Sequence, residues 1–254
     1  MSRTWPRGLL VLAVAALVLA PRIAAPRNGA DLKDGQLVYE RYCLSCHGPL
    51  GNGRGEGAES MSIKPRDYRQ GTFKWRTTPS GSLPLDADLE HTLEHGVYGT
   101  YMPSWKWIDE RSRRDVIAYI KTFAPRFLTE SPQPAISIPV DPGYTPESVK
   151  RGAAIYLKLN CAQCHGRQGQ GDGPSARDLK DDWGNPSVPY DLTAGHVRAG
   201  EASSDLYRAF MTGLSGGAMP SYDDSLDSAG AWDLVHFIQS LSPLYKKANV
   251  SRAQ

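Results

Sequence analysis

Short stretches in which apolar residues recur every three or four positions follow one another along the chain. Such spacing places the apolar side chains on one face of an α-helix. It is clearest over residues 116–123, in a helix that begins near Asp109, and over residues 234–241. No run of alternating apolar and polar residues is long enough to predict a β-strand, so the pattern predicts an all-α fold of short helices joined by long loops.

Residues with strong capping preferences mark the starts of further helices. Thr145 followed by Pro146 is typical of a helix start, because a threonine hydroxyl accepts from the first turn and proline needs no hydrogen bond at the first helical position. Asp31 or Asp34 is expected to cap the equivalent helix in the N-terminal half. Middle helices are predicted over residues 88–95 and 205–212.

The chain repeats itself once. Residues 43–58 read CLSCHGPLGNGRGEGA and residues 161–176 read CAQCHGRQGQGDGPSA, and weaker matches extend on both sides at nearly the same offset. A unit of about a hundred residues is long enough to form its own core. The repeat therefore predicts two tandem domains, at residues 31–124 and 146–245.

A proline-rich segment, residues 125–145, lies between the two units. Its five prolines lack the backbone N–H that a helix needs, and they hold the chain in an extended form. We therefore expect a semi-rigid linker that packs along the surface of the protein.

The N-terminal residues have the features of an export signal. Two arginines precede a run of thirteen apolar residues, 8–20, that carry no charge. This run is shorter than the roughly 20 residues that span a bilayer, and it has the length of a signal-peptide core. Residues 1–25 are expected to be a signal peptide or, if retained, a membrane anchor. The rest of the protein is then periplasmic, either soluble or held at the inner membrane.

Each unit carries one C-x-x-C-H motif, which is the attachment site of c-type haem. Cysteines three positions apart on a helical turn face the same side and can meet one porphyrin edge, and the histidine that follows points toward the iron. A zinc ribbon would need its cysteine pairs about 15–20 residues apart, and a disulfide within each motif would leave the repeated histidine unexplained. We therefore predict two covalently bound haem c groups. Their residues are Cys43, Cys46 and His47 in the first unit, and Cys161, Cys164 and His165 in the second.

The second axial ligand of each iron is expected to be a methionine. Met102 and Met219 occupy matching frames, YMPSW and AMPSY, 55 and 54 residues after their histidines. Ligation by histidine and methionine raises the reduction potential of the iron. His91 and His95 are a rival pair, because a spacing of four residues on a helix can bind metal. Met61 has no counterpart in the other unit and is expected to pack in the core.

Two further contacts are expected around each cofactor. A backbone carbonyl after the motif should accept from the second ring nitrogen of the ligand histidine, and the candidates are Pro65 and Pro189. Arg66 and Arg76 are candidates for pairing with the haem carboxylates, with a solvated position as the alternative.

The overall composition excludes several classes of protein. Hydrophobic residues make up 40% and charged residues 22% of the chain, which is typical of a folded protein and not of a disordered or polytopic membrane protein. The formal net charge of +2 gives no concentrated basic face for nucleic acid. The glycine runs behind the two motifs precede loops and not the helix that a dinucleotide-binding loop opens, so no nucleotide is expected.

The C-L-S-C-H-G and C-A-Q-C-H-G motifs, the glycine runs behind them and the Y-M-P-S-W and A-M-P-S-Y segments resemble those of class I c-type cytochromes. The chain is similar to the di-haem members, among which cytochromes of the c4 type are the nearest size class. The resemblance covers nearly everything after residue 30, and it implies two α-helical cytochrome c domains, each a one-electron carrier. The insertion F-K-W-R-T-T-P-S-G, residues 73–81, departs from that type.

The expected function is electron transport between a donor and an acceptor protein of an extracytoplasmic respiratory chain, with no substrate chemistry. Two filled axial positions disfavour the activation of oxygen or peroxide, which needs an open site. Two alternatives remain: a di-haem peroxidase with a removable sixth ligand, and a cytochrome subunit fixed in a membrane oxidoreductase complex.

Overall fold

The computed structural model describes residues 29–195, 198, 200 and 202–243. These residues form short α-helices and irregular loops, with an isolated bridge between Lys180 and Pro186. The described part of the chain contains no β-strand, which confirms the predicted all-α fold. The predicted signal or anchor segment, residues 1–25, lies outside the described residues. Among the helices that are described, none is long and apolar enough to cross a bilayer.

Domain 1 has its helices where the spacing of apolar residues and the caps predicted them. The carboxylate of Asp31 accepts from the backbone N–H of Lys33 at 2.9 Å and caps the first helix. Asp109 caps the last helix of the domain in the same way, through Ser112 at 3.0 Å. The helices are α1 (Leu32–Tyr42), α2 (Leu44–His47), α3 (Asp86–His95) and α4 (Glu110–Lys121).

The linker begins with a single helical turn, α5 (Arg126–Thr129), where the prolines predicted an extended chain. Proline is tolerated immediately before a first helical turn, because that position needs no N–H in the helix. Beyond α5 the linker has no regular structure and touches both domains. The N–H of Ile136 donates to the carbonyl of Thr77 at 2.8 Å in domain 1, and Asp141 contacts Nε2 of His236 in domain 2 at 3.0 Å.

Domain 2 repeats the helical order of domain 1. Thr145 caps its first helix, with the hydroxyl accepting from the backbone N–H of Ser148 at 3.0 Å, as predicted. Asn160 is an extra residue relative to domain 1, and it adopts the left-handed conformation with φ 56°. The helices are α6 (Pro146–Lys158), α7 (Cys161–His165), α8 (Ser203–Thr212) and α9 (Ser228–Leu241).

The first and last helices of each domain cross at close range. Gly35 of α1 faces the backbone of Asp115 in α4, and Gly152 of α6 faces the backbone of Asp233 in α9. A β-carbon at either glycine would overlap the aspartate carbonyl oxygen, so only glycine permits this approach. The matched glycines therefore set the distance between the two helices in each domain.

Each domain has its own apolar core, assembled mainly from these crossing helices and the middle helix. In domain 1 the core residues are Tyr39, Cys43, Tyr68, Phe73, Leu89, Leu93, Val116, Ile117 and Ile120. In domain 2 they are Tyr156, Leu206, Tyr207, Phe210, Leu226, Ala231, Trp232, Leu234, Val235 and Ile238.

The insertion of domain 1, residues 73–81, lies against domain 2. Arg76 within it is 1% exposed, and its guanidinium donates to the carbonyls of Phe73, Pro79 and Thr212 at 3.2, 3.3 and 2.7 Å. Thr212 is the last residue of α8, so a cation from domain 1 satisfies a carbonyl at the C-terminus of a helix in domain 2. Positive charge is favourable at that end of a helix.

Candidate functional site

The eight predicted binding residues lie along two cavities, with one complete set in each. A cavity of about 190 Å³ in domain 1 and one of about 180 Å³ in domain 2 are similar in size. We call them the domain 1 cavity and the domain 2 cavity. The domain 1 cavity is lined by Cys43, Cys46, His47 and Met102, and the domain 2 cavity by Cys161, Cys164, His165 and Met219.

Each C-x-x-C-H motif forms about one turn of helix, which brings its side chains to the same cavity. In domain 1 the motif spans α2 and the residue before it, and in domain 2 it is α7 itself. All four thiols are free. Burial raises the pKa of Cys43 to about 12 and that of Cys161 to about 11, so both are neutral thiols at physiological pH. The four cysteines line the cavities as free side chains and are available for thioether bonds.

A backbone carbonyl fixes each motif histidine from the side opposite its Nε2. Nδ1 of His47 lies 3.1 Å from the carbonyl oxygen of Arg66, and Nδ1 of His165 lies 3.2 Å from that of Tyr190. Burial is the main cause that lowers the pKa of His47 to about 4 and also lowers the pKa of His165. A neutral imidazole that donates through Nδ1 leaves Nε2 as the nitrogen for a metal.

The prediction that Pro65 and Pro189 supply these carbonyls is wrong by one residue in each domain. The carbonyl of Pro65 faces Gly53, and the carbonyl of Pro189 faces Gly171, so both point into the glycine run behind the motif. In an extended segment, successive carbonyls point to opposite sides. The carbonyl of the residue after each proline is therefore the one that reaches the histidine.

A tyrosine in the first helix of each domain holds the end of the motif, a role that the sequence analysis missed. The hydroxyl of Tyr39 donates to the carbonyl of Gly48 at 2.7 Å, and that of Tyr156 donates to Gly166 at 2.6 Å. Both glycines directly follow the motif histidine. The two tyrosines occupy matching positions of the repeat, and this match could have indicated a shared structural role.

Tyr68 distinguishes the domain 1 site from the domain 2 site. Its hydroxyl lies 3.0 Å from Nε2 of His47, and the two rings stack with centroids 4.6 Å apart. In the matching P-R-D-Y and P-Y-D-L segments, the position of Tyr68 is held by Leu192 in domain 2. Nε2 of His47 therefore has a polar neighbour, whereas domain 2 has an apolar residue at the position that matches Tyr68.

Of the other side chains that could ligate a metal in domain 1, the two histidines lie outside the cavity and Met61 lies along it. His91 and His95 stack on each other at 4.2 Å along α3, and neither lines the domain 1 cavity. Met61, which was expected to pack in the core, lines that cavity together with Met102. Domain 1 therefore brings two thioethers to its cavity, and only Met102 has a counterpart in domain 2.

Buried N–H groups around the cavities fit a ligand that carries carboxylates. Among the described residues, Nη1 of Arg66 and Nε1 of Trp105 in the domain 1 cavity have no hydrogen-bond partner, and neither does Nε of Arg198, which lines both cavities. Buried donors normally have an acceptor, and the two carboxylates of a haem would supply it. The other candidate for this contact, Arg76, lines neither cavity. Thiols, histidine, methionine and unsatisfied cations together fit haem c.

Comparisons with known proteins agree with this fit. A family model described as cytochrome c matches residues 149–242, and one described as cytochrome c oxidase, cbb3-type, subunit III matches residues 30–120. A comparison with curated proteins finds no match. Among solved structures, the chain is similar to one from the reducing HAO-like protein complex of Kuenenia stuttgartiensis, with 39% identity and a TM-score of 0.82 over 84% of this chain and 97% of that chain. The protein therefore belongs to the di-haem c-type cytochromes, electron-transfer proteins whose two tandem domains each carry a covalently bound haem c.

Proposed function

We propose that the protein relays single electrons between a donor and an acceptor protein outside the cytoplasm, through two haems ligated by histidine and methionine. The observation that carries this proposal is the pair of adjoining cavities, each lined by one complete set of two cysteines, a histidine and a methionine. When bound, haem c supplies reversible one-electron chemistry at its iron.

The residues of the chain would hold and orient the cofactor and set its reduction potential. The cysteine pairs would fasten the porphyrin through thioether bonds, and the carbonyls of Arg66 and Tyr190 fix the histidine rings. Met102 and Met219 line the cavities and would supply the second axial ligand of each iron. A neutral thioether favours the ferrous form and thereby raises the reduction potential.

The test is to replace each methionine in the intact, haem-loaded chain. Met102→Ala should remove the absorption band of methionine–iron ligation from one haem, and Met219→Ala should remove it from the other. The potential of the affected haem should fall by a substantial part of the roughly 0.8 V range that axial ligands span. Optical spectra and a potentiometric titration measure both effects.

Met61→Ala is the matched control, because Met61 lines the same cavity as Met102. This variant should keep both bands. If Met61→Ala removes a band and Met102→Ala does not, the assignment in domain 1 is wrong. If neither Met102→Ala nor Met219→Ala changes the spectrum, the proposal of histidine–methionine ligation fails.

A second candidate function is that of a fixed subunit in a larger oxidoreductase complex. The similar solved chain comes from the reducing HAO-like protein complex, which favours this candidate over a freely diffusing shuttle. Purification from native cells without a tag distinguishes the two. A fixed subunit would elute with one partner in constant proportion at every salt concentration, whereas a shuttle would elute alone.

The proposal places the protein in the periplasm and treats it as a carrier and not as an enzyme. The charged and apolar pattern of residues 1–25 supports export, and sequencing the mature N-terminus would show whether these residues are cleaved. A methionine in each cavity supports the carrier role, because a peroxidase needs an open iron position. Turnover of hydrogen peroxide by the purified protein would contradict it.

A further inference from the structure

Three side chains form a partition between the two cavities. Lys74, Trp75 and Arg198 line the domain 1 cavity and also the domain 2 cavity, and we call them the shared wall. Lys74 and Trp75 belong to the insertion of domain 1, whereas Arg198 comes from domain 2. A charge in this wall lies beside both cofactor sites at once.

Lys74 brings a positive charge to the shared wall from the insertion of domain 1. Its side chain is half-buried and packs against Gly217 of domain 2. Among the described residues, no carboxylate lies within ion-pair distance of its ammonium. Burial lowers the pKa of Lys74 to about 8, with repulsion from Arg66 and Arg198 acting in the same direction and Asp181 opposing it. The ammonium is still mostly charged at neutral pH.

A positive charge near an iron stabilises the ferrous form relative to the ferric form, because reduction removes one unit of positive charge. The effect is stronger where the medium is less polar than water, as between two packed domains. If the ammonium pairs with a haem carboxylate, it cancels a negative charge and the potential rises in the same direction. A cation at the shared wall should therefore raise both potentials, whereas a charge at the surface is screened by salt.

We propose that Lys74 tunes the redox chemistry of both domains. Its single positive charge raises the reduction potentials of the two haems together. This inference rests on the proposed function, since it takes both cavities to hold redox-active haem. The insertion of domain 1 thereby influences the cofactor site of domain 2 as well as its own, which requires the two domains to pack together. The two potentials shift jointly because one residue faces both sites.

The experiment is a spectroscopic redox titration of the intact, haem-loaded variants. Lys74→Gln should lower both midpoint potentials, by up to a tenfold change in each reduction equilibrium, which is 59 mV for one electron. Lys74→Glu should lower both further, and Lys74→Arg should restore values near the wild type. If Lys74→Gln loads haem poorly, Lys74→Met provides a second neutral variant that keeps the apolar stem. The two waves are assigned with Met102→His and Met219→His, each of which lowers the potential of its own haem.

Two controls separate a shared role from a local one. Lys106→Gln removes the same charge from an exposed residue that lines neither cavity, and both potentials should stay unchanged. Tyr68→Phe alters a residue of the domain 1 cavity alone, and it should move at most one wave.

The inference is overturned if Lys74→Gln shifts one wave only, shifts neither, or shifts both no more than Lys106→Gln does. A wild-type protein without methionine–iron bands would contradict the proposed function instead. If the methionine–iron bands are present but substitution of Lys74 leaves both potentials unchanged, only the role of the shared wall is contradicted.

Discussion

In domain 1 the hydroxyl of Tyr39 bonds to the carbonyl behind the motif histidine, and in domain 2 Tyr156 makes the same bond, at 2.7 and 2.6 Å. Gly35 and Gly152 allow the same close crossing of helices. The carbonyl that fixes the histidine lies at 3.1 Å in one domain and 3.2 Å in the other. The contacts that hold the haem-attachment motif are thus nearly identical in the two halves.

The two domains differ in the segments that face each other or the solvent. Only domain 1 has the insertion of residues 73–81, and Tyr68 of domain 1 stands where domain 2 has Leu192. Trp107, five residues after Met102, is 64% exposed, whereas domain 2 has an exposed Asp224 five residues after Met219. The comparison indicates that the two domains share the contacts that hold the haem-attachment motif. They differ in the segments that contact the other domain or the solvent.

The largest expected effect tests whether the two helix crossings are equivalent. Gly35→Ala and Gly152→Ala should each destabilise the protein by about 3 kcal/mol, at the upper end of the cost of overpacking, because the new methyl group overlaps a backbone carbonyl. Gly29→Ala, with no atom within 4 Å of the added β-carbon, should change little. Thermal unfolding of the loaded protein measures all three. A large loss in one glycine variant only would show that the crossings are not equivalent.

A smaller effect tests the asymmetric part of the molecule. Arg76→Met should cost about 1.5–3 kcal/mol, the value of hydrogen bonds from a charged group, and should separate the unfolding of domain 2 from that of domain 1. Differential scanning calorimetry resolves the two transitions. Arg114→Ala is the control, because its pair with Glu110 is exposed and lies within one helix. A single transition with an unchanged midpoint in Arg76→Met would contradict the role of this residue between the domains.

The smallest effect tests the tyrosine bonds. Tyr39→Phe and Tyr156→Phe should each cost about 1 kcal/mol, because each removes one buried hydrogen bond, and the two losses should be equal within error. Tyr119→Phe removes a hydroxyl that makes no such bond to the motif and should cost less. Chemical denaturation gives the three values. Unequal losses for Tyr39 and Tyr156 would show that the motif is held more firmly in one domain.

Local chemistry explains which features the sequence predicted. Asp31 and Thr145 cap their helices as expected, and Asp109 lies at the predicted start of its helix, since a cap depends on residues only a few positions away. The repeat predicted that Met102 and Met219 lie with the motif cysteines and histidines. Two copies of one sequence pattern are expected to adopt the same structure. These features needed no knowledge of how the domains meet.

The features that were missed depend on the path of the chain in space. The carbonyl of Arg66 and not that of Pro65 reaches His47, and this is decided by the direction of one peptide group. Met61 lies outside the helices and lines the domain 1 cavity, and no periodic pattern in the sequence predicts the path of that loop. The shared wall arises only when Lys74 of domain 1 meets Arg198 of domain 2, far apart in the sequence.

The bond from Arg76 to the carbonyl of Thr212 has a consequence for any attempt to study the halves apart. A fragment that begins at the linker would lose the guanidinium that satisfies the end of α8, the helix that leads toward Met219. That terminus would then be open to water and free to fray. Spectra of such a truncated piece would therefore describe a site whose neighbouring helix lacks this contact, instead of the site in the intact chain.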